Sequence, residues 1–225
     1  MDIEMENKWD WEEMNQGEKS IVLASASPRR KELLHQAGIQ FDIIISNVKE
    51  VITKTDPAGV VEELSSQKAR AVAQKVKDGT IVIGADTVVA LDGKILGKPA
   101  DVPEAVDMLR ALQGRTHQVY TGVTLLEKRN GSERVCTFSE CTQVEMYPVS
   151  EEEINAYVAT GGPMDKAGAY GIQGRAGVFV KRITGCLLYT SDSGKNDPFR
   201  YDDAKWRPDI LNRRPVHSKP LYRAV

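Results

Sequence analysis

The chain has 225 residues, 41% of them hydrophobic, and a formal net charge of −2. That length supports one sizeable core or two lobes, and the absence of a basic excess, or of a basic stripe with interleaved aromatics, argues against nucleic acid as a partner. No apolar run approaches the ~20 residues that span a bilayer, and Cys136, Cys141 and Cys186 form no CxxC pair and no metal-like spacing with histidine, as free thiols in a reducing cytosol would.

Residues 1–18 carry seven acidic side chains and one lysine and read as a flexible acidic leader, with no apolar stretch that would make them a secretory signal. The regular pattern begins with Ile21-Val22-Leu23-Ala24, a short strand. Pro28 then sits where a helix starts, and the helix runs to about Ala37 with Gly38 as its stop. Between the two lies Ser25-Ala26-Ser27-Pro28-Arg29-Arg30. Free backbone N–H groups at a helix start, small hydroxyls and two arginines make a natural anion seat, although a capping serine with two solvated arginines reads the same way.

Phe41–Ile45 is expected as a second strand, followed by Glu50 at its edge. Val60, Val61, Leu64, Val72 and Val76 recur at helical spacing after Asp56-Pro57, and Lys68 falls within that helix. Ile81-Val82-Ile83 reads as a buried strand of the parallel-sheet type. It leads into Gly84-Ala85-Asp86-Thr87, which places Asp86 at the strand's carboxyl end, where α/β sheets gather ligands. Such a carboxylate binds a divalent cation, orients a water, or merely caps the turn. A hairpin with an Asp92-Gly93 turn follows, and then Gly97-Lys98-Pro99, in which proline stiffens the loop around the lysine.

Pro103–Leu112 is expected as a helix. His117–Lys128 and Glu133–Tyr147 are expected as strands around Asn130-Gly131, and Ser150–Thr160 as a helix with a capping box. The stretch Asp165-Lys166-Ala167-Gly168-Ala169-Tyr170-Gly171-Ile172-Gln173-Gly174 mixes ionisable groups with glycines, which suits a binding loop whose backbone approaches a ligand. A last strand covers Gly177–Ile183. Alternating strands and helices early, then antiparallel strands, argue a mixed α/β sheet with flanking helices. Residues 190–225 hold four of the ten prolines and no apolar period, as a poorly ordered segment does. Arginines at a helix start, carboxylates, lysines and an amide together form a set suited to phosphate chemistry, and no GxxxxGK[ST] motif makes it a P-loop.

The run Ser25–Arg30 with Leu33-Leu34, then Gly84–Thr87, Gly97–Pro99 and Asp165–Gly174, in that order and spacing, resembles the Maf family of nucleoside triphosphate pyrophosphatases. The resemblance covers about residues 20–185 and implies a Maf/inosine-triphosphatase-like fold with two lobes around a cleft. The implied domain is 19–185, with 1–18 as leader. Residues 186–225 form a tail that leaves the family's pattern after Gly185, expected to be disordered or aberrant. The resemblance further implies divalent-metal-dependent (Mg²⁺ or Mn²⁺) cleavage of a nucleoside triphosphate to the monophosphate and pyrophosphate. It makes Asp86 the proton acceptor, Glu50, Lys68 and Lys98 the other charged positions, and Asp86 and Glu50 the metal-holding pair. Ser25, Ser27 and Arg30 fall in the substrate-binding segment, while Arg29, Thr87 and Gln173 match positions that mark the subfamily acting on dTTP and UTP. CTP and modified pyrimidine nucleotides stay open as substrates. A cytoplasmic location and a homodimer are compatible with the family, and a nucleotide-binding regulator of septum formation without turnover is the alternative.

Overall fold

A computed structural model describes residues 20–185. The expectations for the leader, residues 1–18, and for the tail, residues 186–225 with Cys186, lie outside the described residues.

β1 (Ile21–Leu23) is buried along its whole length. The chain leaves it through Ser25-Ala26-Ser27 into α1 (Pro28–Gln36), where proline occupies a first-turn position whose N–H would have had no helical partner. Gly38, at φ 73°, turns the chain out of the helix. β2 (Asp42–Ile43) lies parallel to β1. The strand expected over Phe41–Ile45 shrinks to two residues because β2 is the edge of the sheet and only Val22 and Leu23 lie alongside it. α2 (Pro57–Ala73) starts at Asp56, whose carboxylate accepts the Gly59 N–H at 2.7 Å, and buries Val60, Val61, Leu64, Ala69 and Val72 along one stripe.

β3 (Ile81–Leu91) corrects the sequence reading. The buried segment 81–83 and the hairpin arm 88–91 are one continuous strand, so Asp86 sits in a strand interior instead of at a carboxyl end. The reason is β5 (Thr116–Arg129), which pairs with β3 from Ile81↔Glu127 to Ala90↔Gln118 and holds it extended throughout. What ends at Ile83 is the parallel pairing with β1 on the other side. β4 (Lys94–Leu96) folds back on Val89–Leu91 across Asp92 and Gly93, both at positive φ, as a tight hairpin turn requires. α3 (Val102–Leu112) is capped by Asp101, and α4 (Glu151–Val158) by Ser150 and Glu153 in the expected reciprocal box. β5 and β6 (Ser132–Met146) meet at Asn130-Gly131 as anticipated. Two short 3₁₀ turns, Ala167–Ala169 and Arg175–Phe179, precede β7 (Val180–Thr184), which pairs with β6.

The seven strands order as β2-β1-β3-β5-β6-β7, with β4 beside β3, and only the pairings of β1 are parallel. This is the mixed α/β sheet with flanking helices that the sequence implied. Apolar clusters gather at two ends of it. At one end, one cluster packs β1 and the start of β3 against α2 and another packs their opposite face against Leu34 of α1 and Ile39; at the other end, a third joins the end of β3 with α3, α4 and Phe179. Among the described residues no helix is long and apolar enough to cross a membrane.

α2 lies unusually close to the sheet because two strand positions beneath it are glycine. A Cβ on Gly84 would overlap the Ser65 carbonyl oxygen, and one on Gly122 the Val61 carbonyl oxygen. Replacing Gly122 by alanine therefore lifts the helix or strains it, at a cost of about 1–3 kcal/mol. Gly97→Ala, where nothing lies within 4 Å of the added carbon, serves as the near-neutral comparison. Urea denaturation of the two variants checks the difference.

His117, on β5, is completely buried; its Nε2 is 2.6 Å from the Tyr170 hydroxyl, and Nδ1 has no hydrogen-bond partner among the described residues. Burial pulls its pKa from 6.5 down to about 4. The folded protein thus keeps the ring neutral while the unfolded chain takes up a proton near pH 6.5, so the stability present above that pH is lost as pH falls toward 4. The expected loss is on the order of 3 kcal/mol, read as the extra acid sensitivity of the wild type over His117→Phe in denaturation curves taken between pH 7 and pH 4. Equal slopes would show that the imidazole is not held neutral.

Candidate active site

The site lies where β1 stops. Ala24 donates a last backbone hydrogen bond to the Ile83 carbonyl at 2.8 Å, and the chain then turns into α1. The edge of β3 is left open from Gly84 until β4 takes over at Val89. Arg30 fills that gap from the third position of α1. Its Nη1 donates to the Ala85 carbonyl at 3.0 Å and to Ser25 Oγ at 2.9 Å, and Nη2 donates to Thr87 Oγ1 at 3.1 Å. A guanidinium fork thus stands in for the missing strand, a task for which its planar donors are suited. Burial lowers the Arg30 pKa from its ordinary value and the nearby Asp86 carboxylate pulls it back. Ser25 also accepts the Ser27 N–H at 3.3 Å, and Thr87 Oγ1 lies 3.1 Å from Thr121 Oγ1.

Asp86 and Thr87 are consecutive in an extended strand, so they point to opposite faces. Asp86 faces α2, where the Lys68 ammonium pairs with its Oδ1. The same ammonium is 3.0 Å from Glu50 Oε1. Lys68 and Asp86 are largely shielded, with side chains 17% and 16% exposed, whereas Glu50 is 47% exposed and faces water. Glu50 reaches this position because the loop after β2 is stitched to α2. Gln67 accepts the Val51 N–H at 3.0 Å and donates to the Val51 carbonyl at 2.5 Å, imitating a strand neighbour. Glu63 likewise accepts the Thr53 N–H at 2.8 Å and the Thr53 hydroxyl at 2.6 Å. Those bonds hold the Glu63 pKa below its ordinary value.

The structure therefore brings together Glu50, Lys68 and Asp86 on one face and Ser25, Arg30 and Thr87 toward the other, the two sets meeting at the open edge of β3. It places the remaining predicted residues differently. The Arg29 guanidinium is 3.8 Å from Glu32, and its Nε is buried without a hydrogen-bond partner. Ser27 occupies the N-cap of α1 with its hydroxyl unused as a cap. Lys98 is exposed on the loop after β4 and adds a small pull to Asp165, whose pKa is lowered chiefly by a hydrogen bond from Lys166. Gln173 is exposed on a turn closed by the Gly174 N–H on the Gly171 carbonyl at 3.0 Å. Among the described residues no hydrogen bond or ion pair joins Arg29, Lys98 or Gln173 to the six clustered residues. A concavity lined by Tyr157, Thr160, Lys166 and Arg175 flanks the Gln173 turn.

Two carboxylates within reach of one ammonium present hard oxygen donors on a common side. That donor set fits a divalent cation shared with a substrate's phosphate oxygens, the usual mode for Mg²⁺. Sequence reasoning missed Gln67, Thr121 and Gly122. Only Gly122 carried a local signal, since a glycine inside a strand marks a close backbone approach.

Comparison with known proteins follows the same residues. The family described as "Maf-like protein" matches residues 20–189. A dTTP/UTP pyrophosphatase of Bacillus cytotoxicus is 50% identical over 168 residues, which are 74% of this chain and 85% of that protein. One from Bacillus cereus is 49% identical over 168 residues, covering 74% of this chain and 80% of the relative. Among solved structures, a Staphylococcus aureus Ham1 protein aligns with a TM-score of 0.38 at 15% identity, covering 71% of this chain and 90% of that one. With a match over the whole described region and half of the aligned residues shared with its relatives, the chain belongs to the Maf-like protein family.

Proposed function

We propose that this protein hydrolyses nucleoside triphosphates, dTTP and UTP foremost, to the monophosphate and pyrophosphate. The observation that carries this reading is the Lys68 ammonium held between Asp86 and Glu50 beside the edge that Arg30 locks. The relatives' designation as dTTP/UTP pyrophosphatases supports the same substrates. A protein that only senses nucleotide has no need of a shielded carboxylate paired with a lysine, so turnover is the favoured reading over regulation alone.

The roles follow from position. The N-terminus of α1 offers free backbone N–H groups, the Ser27 hydroxyl and the partly exposed Arg29 guanidinium to the triphosphate. Arg30 keeps Ser25 and Thr87 in place around that seat, its own donors being engaged by the protein. Asp86 accepts the proton of a water whose oxygen bonds to the α-phosphorus. The bond from that phosphorus to the bridging oxygen breaks, and pyrophosphate leaves with the electron pair. Lys68 turns from its carboxylates toward the phosphate oxygens and offsets their charge as the bond breaks. Mg²⁺ or Mn²⁺, held by Asp86 and Glu50, would supply further charge neutralisation on the phosphates when bound. Lys98, on the loop after β4, contributes positive charge toward the nucleotide, and Gln173, with both a donor and an acceptor, pairs with the O4/N3 edge of a pyrimidine.

Incubation with dTTP or UTP and Mg²⁺ or Mn²⁺ yields monophosphate and pyrophosphate in equal amounts, resolved by ion-exchange chromatography; release of orthophosphate together with a nucleoside diphosphate would overturn the reading. Asp86→Asn lowers kcat on the order of 10²-fold or more while the melting curve stays cooperative. A near-normal kcat in that variant removes Asp86 from the role of base.

A further inference from the structure

We infer that His117 is a positioning residue for substrate selection: through the Tyr170 hydroxyl it fixes the turn that carries Gln173. The inference rests on the reading of Gln173 as the group that meets the base.

The loop over residues 165–174 has little to hold it by itself. Gly168 and Ala169 adopt φ 67° and 61° in succession, and a left-handed alanine is unfavourable by roughly 1–2 kcal/mol. Hydrogen bonds from outside the loop order it at two points. The Gly168 N–H donates to the Gly97 carbonyl at 2.9 Å, and the Tyr170 hydroxyl meets His117 Nε2 at 2.6 Å. Only the last joins two side chains buried in the interior; their rings stand perpendicular with centroids 5.3 Å apart. The turn that presents Gln173 begins at Gly171, immediately after Tyr170, and closes at Gly174. Anchoring Tyr170 therefore sets where that turn starts.

The histidine also needs a reason to be there. It lies opposite Val144 on β6 and shares a strand face with Val119, and its Nδ1 is left without a hydrogen-bond partner among the described residues. An apolar residue would fill the place without that unsatisfied atom. What the imidazole adds, and an apolar residue cannot, is the bond to Tyr170. A misplacement of a recognition group by a fraction of an ångström is enough to weaken its discrimination.

The test compares kcat/KM for dTTP with that for GTP, with Mg²⁺, in Gln173→Ala, Tyr170→Phe and the double variant of the full chain. Gln173→Ala is expected to lower the dTTP preference, and Tyr170→Phe, which removes a single oxygen, to lower it about tenfold, chiefly through KM for dTTP. In the double variant the preference should equal that of Gln173→Ala alone, because the anchor acts through that residue. His117→Leu should match Tyr170→Phe, and His117→Gln, whose amide can still meet the hydroxyl, should recover part of the preference. If Gln173→Ala lowers the preference while Tyr170→Phe only lowers the melting temperature, the anchor is structural and the inference fails alone. If Gln173→Ala leaves the preference unchanged, the base-reading role fails and takes the inference with it. Should His117→Leu fail to fold, Tyr170→Phe decides, with faster amide exchange at Ile172–Gly174 expected alongside the lost preference and unchanged exchange counting against it.

Discussion

The backbone of α2 resting on Gly84 and Gly122 is the constraint from which the rest follows. Had either position carried a side chain, the Ser65 or Val61 carbonyl would have been displaced and the helix lifted from the sheet. At contact distance the helix delivers the Lys68 ammonium to Asp86 on β3. The contact is stitched further by hydroxyls: Ser65 Oγ lies 2.8 Å from Thr124 Oγ1, which lies 3.0 Å from Thr137 Oγ1. The Ser65 and Thr124 hydroxyls are buried and mutually satisfied, so they fix the register of helix on sheet where an apolar contact would let it slide. Gln67 and Glu63 then use the outer side of the same helix to hold the loop that supplies Glu50.

The second constraint is an interruption. A sheet edge normally offers unpaired backbone groups, and here the gap between β1 and β4 does so at the point where phosphate chemistry is proposed. Arg30 closes part of that gap and in doing so links four things: the start of α1, Ser25, the Ala85 carbonyl and Thr87. Because its donors are committed to the protein, the anion-binding capacity of the SPRR segment falls to the free N–H groups of the helix and to Arg29. Two adjacent arginines of one motif are thereby given different work by their direction on the helix.

The two ends of the sheet divide the labour. Near β1, α1 and α2, charged groups gather around a strand edge. Near α3 and α4, an apolar cluster that includes Tyr157, Tyr170 and Phe179 supports the loop over 165–174. Tyr157 and Phe179 stack edge to face at 5.6 Å, and His117 and Tyr170 do so at 5.3 Å, which gives the glycine-rich loop a stiff foundation. A nucleotide suits such a division, since its charge and its base lie at opposite ends.

Much of this was legible in the sequence because it is local. Caps, tight turns and helical stripes depend on neighbours along the chain, so α2, α4, the Asn130-Gly131 hairpin and the Pro28 helix start were read near their true bounds, and the ordered motifs carried the family. Tertiary structure alone decided the continuity of β3, which β5 imposes through pairs running from Ile81↔Glu127 to Ala90↔Gln118, and with it the place of Asp86 inside a strand. It also decided which arginine locks the edge, which helix residues hold Glu50 in reach of Lys68, and that His117 meets Tyr170. Those facts rest on contacts between residues far apart in the chain, and spacing along a sequence carries no record of which distant backbone lies alongside.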